Sequence, residues 1–110
     1  MQRRSRLLRS GDFDRTLRSG RRTSSDYLAL FVSDNDLGRA RVGFAVSRKL
    51  GNAVIRNRIK RRLRELVRPL ILRAQGGRDV VIVARARAVD AGFARLRQEI
   101  EMLWSKGWKA

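Results

Sequence analysis

The sequence predicts an α/β (α+β) fold, a two-layer sandwich of one small sheet and packed helices. Three observations carry this prediction. Apolar, strand-like runs fall at residues 27–32, 41–46 and 80–84; helical periodicity covers residues 52–68 and 90–104; and the chain has 110 residues. Strands and helices each bury one apolar face on the other, and about 100–150 residues is the usual size of a single domain. Residues 1–110 are therefore read as one domain.

Residues 1–10 carry Arg3, Arg4, Arg6 and Arg9 and read as a basic arm. Residues 12–19 form a short helix, with Ser10 or Asp12 as N-cap and Gly20 past its end. Phe13 and Leu17, four apart, share a face of it. The run 27–32 places Tyr27, Ala29 and Phe31 on one face of a strand and Leu28, Leu30 and Val32 on the other. Both faces are apolar, so this strand is central and covered on each side. Asp34, Asn35, Asp36 and Gly38 supply turn chemistry, and the strand 41–46 follows, so the two strands read as a hairpin. Helix 52–68 comes next, with Pro69 as a stop or kink. After Gly76-Gly77 the β-branched run 80–84 reads as a third strand. Helix 90–104 has Phe93, Leu96, Ile100 and Leu103 at core spacing, with Trp104 facing the core. Trp108 suits either a core or a surface role, and residues 105–110, with Lys106 and Lys109, read as a basic tail.

Composition excludes several kinds of chemistry. There are 27 Lys plus Arg against 10 Asp plus Glu, a net charge of +17, and neither His nor Cys. Disulfide scaffolds and thiolate metal sites are therefore ruled out, and so is a histidine base. No apolar run approaches the roughly 20 residues of a membrane span. Residues 1–25 have the Arg and Ser of a transit peptide, but Asp12 and Asp14 interrupt the stretch and argue against one. A cytoplasmic location is the expectation. A domain this basic repels itself and is matched to a polyanion, nucleic acid before an anionic membrane. Only Lys49, Lys60, Lys106 and Lys109 are lysines. Arginine, which dominates, forks onto phosphate and stacks on exposed bases.

Helix 52–68 concentrates that charge. On a wheel of about 100° per residue, Ile55, Ile59, Leu63, Leu66 and Val67 fall within roughly 120° of arc. Asn57, Lys60, Arg61, Arg64 and Arg68 lie nearly opposite, and Glu65 is the sole acid. Like charges four apart (Lys60 with Arg64, Arg64 with Arg68) oppose helix formation by a few tenths of a kcal/mol per pair, a cost that phosphate contacts would offset. The plain alternative is a solvated basic face. Asn57 adds a group able to donate and accept toward a base edge or a 2′-hydroxyl.

Residues 41–49 read Arg-Val-Gly-Phe-Ala-Val-Ser-Arg-Lys, and residues 51–62 read Gly-Asn-Ala-Val-Ile-Arg-Asn-Arg-Ile-Lys-Arg-Arg. Together they closely resemble the bacterial ribonuclease P protein component, whose hallmark is an Arg-Asn-Arg core followed by Lys-Arg and a further Arg, here Arg64. Arg6 and Leu7, the Gly11-Asp12-Phe13 helix start, and residues 80–85 extend the resemblance from about residue 3 to about residue 105. The resemblance implies a mixed sheet with a left-handed βαβ crossover, like the second domain of ribosomal protein S5. It also implies a subunit of the endoribonuclease that removes the 5′ leader of precursor tRNA, with the active site on an RNA.

Through that resemblance, Arg48, Lys49, Arg56, Asn57, Arg58, Lys60, Arg61, Arg64 and Arg68 are the candidate RNA-binding residues. The single-stranded leader is expected in a cleft between the first helix and the sheet, lined by Phe13, Leu17, Leu28 and Leu30. The family has aromatics where Leu17 and Leu30 stand, which leaves Phe13 as the stacking platform; the plain alternative is that all four fill the core. The implied partners are one ribonuclease P RNA per protein and precursor tRNA, with no membrane and no DNA. Mg2+ is implied as a cofactor held mainly by the RNA. The ten acids are scattered along the chain, whereas two-metal cleavage by a protein gathers carboxylates around ions about 4 Å apart, so no catalytic residue and no protein metal site are expected. The rival readings are a structural RNA-binding protein of ribosomal type, a DNA-binding domain, and a stand-alone nuclease.

Overall fold

The computed structural model describes residues 10–74 and 76–109. In chain order it contains α1 (Ser10–Ser19), β1 (Arg21–Ser24), β2 (Leu28–Asp34), β3 (Arg41–Ala45), a 3-10 turn (Arg48–Leu50), α2 (Ala53–Arg73), β4 (Arg78–Ala84), a second 3-10 turn (Ala86–Ala88) and α3 (Phe93–Lys109). The four strands form one mixed sheet in the order β1-β2-β4-β3. β1 and β4 flank β2 antiparallel, and β3 runs parallel to β4. α2 and α3 pack on one face of the sheet, and α1 lies against β2 and β4. β3, α2 and β4 thus form a parallel βαβ unit that carries the basic helix.

The expected hairpin between residues 27–32 and 41–46 does not form, because β4 intervenes. The reason is apolar content. Val80, Val81 and Ile82 are buried on both faces of β4, and only an inner position covers both. β2 is internal, as its two apolar faces require. β1 was not evident in the sequence, since Arg-Arg-Thr-Ser carries no apolar residue, and it forms an edge of the sheet.

Leu28, Leu30, Val32, Val42, Val80 and Ile82 meet Ile59, Leu63, Leu66 and Val67 of α2 and Leu96, Ile100 and Leu103 of α3 in one core. Pro69 does not stop α2, which continues to Arg73. The lost backbone hydrogen bond is offset by Leu70 and Ile71, which pack on the core in the final turn. α1 is helical from Ser10, so neither Ser10 nor Asp12 serves as its cap; Asp12 instead sits in the first turn, where a carboxylate complements the helix dipole. The basic arm falls almost wholly on residues 1–9, outside the described residues. α3 continues past Trp104 to Lys109, so residues 105–109 are helix rather than a tail. Phe93 is 39% exposed and not a core residue, because it opens the helix instead of lying within it. Trp104 is buried, and Trp108 stacks on it with ring centroids 5.1 Å apart and planes 7° from parallel. The Arg78 guanidinium lies 4.9 Å from the centroid of the Trp108 ring and donates a hydrogen bond to the Trp108 carbonyl.

Candidate nucleic-acid interface

α2 begins where Asn52 accepts a 3.0 Å hydrogen bond from the Ile55 amide, an N-cap that satisfies one of the helix's orphan donors. Gly51 precedes it with φ 153°, and a Cβ there would come within 3.0 Å of Ile55, so this position needs glycine. The 3-10 turn before it is closed by Ser47, whose Oγ accepts from the Lys49 amide at 3.2 Å. Arg48 and Lys49 are thereby exposed at the end of β3, beside the start of α2.

Burial sorts the rest of the helix. Ile59, Leu63, Leu66 and Val67 are buried, which turns Asn57, Arg61, Arg64 and Arg68 outward, and all four are exposed. Their spacing of four, three and four residues makes one straight stripe about 16 Å long at 1.5 Å per residue. Arg56, Arg58 and Lys60 flank the stripe and are half-buried. The Nε atoms of Arg56 and Arg58 are buried without a hydrogen-bond partner in the chain. Among the described residues, no carboxylate lies within 4.0 Å of Arg48, Lys49, Arg56, Arg58, Lys60, Arg61, Arg64 or Arg68. The basic face is therefore not neutralised by any of the described carboxylates. A stripe of guanidiniums with uncommitted donors is suited to bidentate contacts with phosphates.

The groove under α1 differs from expectation. Residues paired across strands share a face, so Ser33, Asp79 and Arg41 form a row at one end of the sheet. Phe31, Val81 and Gly43 form the next row, and Ala29, Val83 and Ala45 the one after. α1 sits on this face: Thr16, fully buried, gives its proton to the Asp12 carbonyl at 2.8 Å and accepts from the Ser33 hydroxyl at 2.9 Å. Leu28 and Leu30 point the other way, at 0% and 1% exposure in the core with α2 and α3. They do not line the groove, which corrects that part of the expected cleft. Phe31 takes their place, half-buried, with the Arg22 guanidinium 5.9 Å from its ring centroid. On a helix wheel Asp12 and Arg15 lie to one side of Thr16 and reach the end row, while Phe13 and Leu17 lie about 60–100° to the other side. That turns Phe13 and Leu17, both half-buried, toward the row of Phe31, Val81 and Gly43. This side of α1 and the adjoining sheet face thus carry Phe13, Leu17 and Phe31, all half-buried, with Arg22 at the margin.

The end row holds an ionic cluster that sequence reading missed. Asp79, at 0% exposure, accepts from Arg41 Nε at 2.9 Å and from an Arg41 terminal nitrogen at 2.8 Å. It also accepts from Arg15 at 2.8 Å and from Asn35 Nδ2 at 2.7 Å. Arg41, 8% exposed, additionally reaches Asp12 at 3.1 Å. Hydrogen bonds to Asp79 hold the Arg41 guanidinium above its ordinary pKa, against the opposing effect of burial. The sequence signal was an acid immediately before a β-branched run and an arginine at the head of another strand, but their pairing is set by the parallel register of β3 and β4.

Known proteins resemble this chain in sequence and in fold. The family model described as Ribonuclease P matches residues 1–107. The ribonuclease P protein component of a Thermoanaerobacter species is 33% identical over 101 residues, covering 92% of this chain and 87% of that one. The Acidothermus cellulolyticus protein of the same name is 40% identical over 102 residues, covering 91% and 85%. Among solved structures, the Staphylococcus aureus RNase P protein superposes with a TM-score of 0.84 at 28% identity, covering 92% of this chain and 93% of that one. The Thermotoga maritima RNase P protein gives 0.78 at 27% identity, covering 89% and 94%. By sequence over nearly its whole length and by fold, the chain belongs to the ribonuclease P protein component family, whose role lies in the processing of tRNA 5′ ends.

Proposed function

We propose that this chain is the protein subunit of a ribonucleoprotein ribonuclease P in which the RNA performs the cleavage and the protein docks on it and holds the leader of precursor tRNA. The observation that carries the reading is the exposed stripe of Asn57, Arg61, Arg64 and Arg68, with no ion-pair partner among the described residues, on a chain of net charge +17. Flanked by Arg48, Lys49, Arg56, Arg58 and Lys60, it would contact the RNA subunit's phosphates and release their counterions on binding. The groove of Phe13, Leu17 and Phe31 would receive the single-stranded leader, stacking bases on the two phenyl rings without regard to sequence. Each phosphate neutralised lowers the repulsion between RNA segments that Mg2+ must otherwise screen, and contacts to the leader, which mature tRNA lacks, would favour the precursor.

The chain's own acids do not suit a catalytic Mg2+ site. Among the described residues no three acidic side chains converge, and Asp79 is committed to two guanidiniums and an amide. The holoenzyme's Mg2+ is accordingly assigned to the RNA, and no protein residue is given a catalytic role. Among the described residues no helix is long and apolar enough to cross a membrane; a cytoplasmic assembly of one protein per RNA, in a single domain, is the proposed arrangement. Reconstitution with a ribonuclease P RNA at low Mg2+, following leader removal from precursor tRNA, tests the whole. Strong stimulation is expected. RNA binding without stimulation would indicate a structural RNA-binding protein, and cleavage by the protein without RNA would indicate a nuclease.

A further inference from the structure

We infer that Arg15 is a positioning residue for leader binding, fixing α1 over the sheet through the buried Asp79 and so setting the groove between Phe13 and Phe31. The inference rests on the groove reading above. α1 has little apolar anchorage: Thr16 is its one buried residue among those described, and Phe13 and Leu17 are only half-buried. Polar bonds hold it instead. Arg15 reaches Asp79 at 2.8 Å and lies 3.4 Å from Asp12, which itself meets Arg41 at 3.1 Å. Ser33 donates to Thr16 at 2.9 Å. Thr16 sits at the centre of the buried face, the bonds of Asp12 and Arg15 fall to one side of it and Phe13 and Leu17 to the other, so releasing them lets α1 roll and changes the width of the groove.

Removal of Arg15 leaves the domain's own ionic pair intact, because Arg41 keeps both of its hydrogen bonds to Asp79. Arg15 itself is half exposed, with 47% of its side chain accessible. Its loss therefore loosens one helix rather than opening the core. The geometry separates Arg15 from the basic stripe, which lies on α2, across the sheet from α1.

The test uses holoenzyme reconstituted with a ribonuclease P RNA and measures affinity for precursor tRNA with a long leader and with a leader of one nucleotide. Arg15→Ala is expected to reduce the long-leader preference about three- to tenfold, in the range of coupling changes made by residues that touch neither ligand. Arg15→Lys should restore part of it. Ser33→Ala removes no charge and should shift the preference the same way by a smaller factor. The slope of log affinity against log salt should be unchanged in Arg15→Ala; a slope lower by about 0.7 would mean that Arg15 binds a phosphate directly and would overturn the inference. A lowered melting temperature with the preference intact would also overturn it, leaving Arg15 merely structural. A wild-type holoenzyme without any long-leader preference would overturn the groove reading and this inference together, whereas a preference retained in Arg15→Ala overturns the inference alone.

Discussion

Substitution of Asp79 by Asn measures how much of the fold depends on one buried charge. The carboxylate has 0% exposure and accepts four hydrogen bonds: two from Arg41, one from Arg15 and one from Asn35. Arg15 is half exposed and can turn to water at little cost. Arg41 is 8% exposed and cannot; it retains one carboxylate, Asp12 at 3.1 Å, and the single side-chain oxygen that asparagine keeps. Breaking a buried pair by removing one partner costs about 3–5 kcal/mol where the remaining charge is left uncompensated; Asp12 offsets part of that here, which places the expected loss at the low end of the range. Against a total stability of roughly 5–15 kcal/mol for a domain of ordinary size, that is a large fraction. Urea unfolding followed by circular dichroism, in sulfate so that the wild type starts fully folded, reads the loss as a fall in midpoint at constant slope. The double variant Asp79→Leu with Arg41→Met replaces both charges by apolar groups and should recover much of the loss. A cost for Asp79→Asn below about 1 kcal/mol would refute the reasoning, since it would mean that water reaches Arg41 as readily as Asp79 does.

Alanine at Arg58, Lys60, Arg61 and Arg64 together should weaken RNA binding and lower its salt slope by about 0.7–0.9 for each phosphate no longer neutralised; filter binding across a salt series checks this, and an unaltered slope would mean that the stripe faces solvent in the complex. Sulfate or phosphate should raise the melting temperature of the protein without RNA, because an anion that binds only the folded state stabilises it and relieves self-repulsion at +17; a melting curve indifferent to sulfate contradicts it. Phe31→Ala should reduce affinity for leader-bearing RNA by about 1–3 kcal/mol, the value of one stacked base, measured against leaderless RNA. Leu30→Ala, on the other face of the same strand, should instead cost about 2–5 kcal/mol of folding stability, with no leader-specific effect.

The basic helix was legible because a period of 3.6 separates the two kinds of residue cleanly. Ile59, Leu63, Leu66 and Val67 are buried, and Asn57, Arg61, Arg64 and Arg68 are exposed. The face of β2 was not legible, for the opposite reason. Leu28, Leu30 and Val32 alternate with Ala29 and Phe31, so both faces are apolar and hydropathy assigns neither to the core. The assignment is made by α1 and α3, elements far away in the chain. Strand order failed in the same way: residues 34–40 carry turn chemistry that a hairpin would use, yet the partner of both β2 and β3 is β4, more than thirty residues downstream of β3. The Asp79 cluster is equally non-local, joining Arg15, Asn35, Arg41 and Asp79 from three strands or their ends and one helix. Pro69 misled because its local effect is real but smaller than the burial gained by continuing α2 through Ile71.

The stacked indoles of Trp104 and Trp108 have a practical consequence. They are the chain's entire complement of tryptophan, and at 5.1 Å with nearly parallel planes their electronic transitions mix, giving a shared circular-dichroism signature that isolated rings lack. That signature exists only while the last turns of α3 keep their register under Arg78. The domain thus carries an intrinsic spectroscopic gauge, needing no label, through which closure of its carboxyl-terminal end can be timed during assembly.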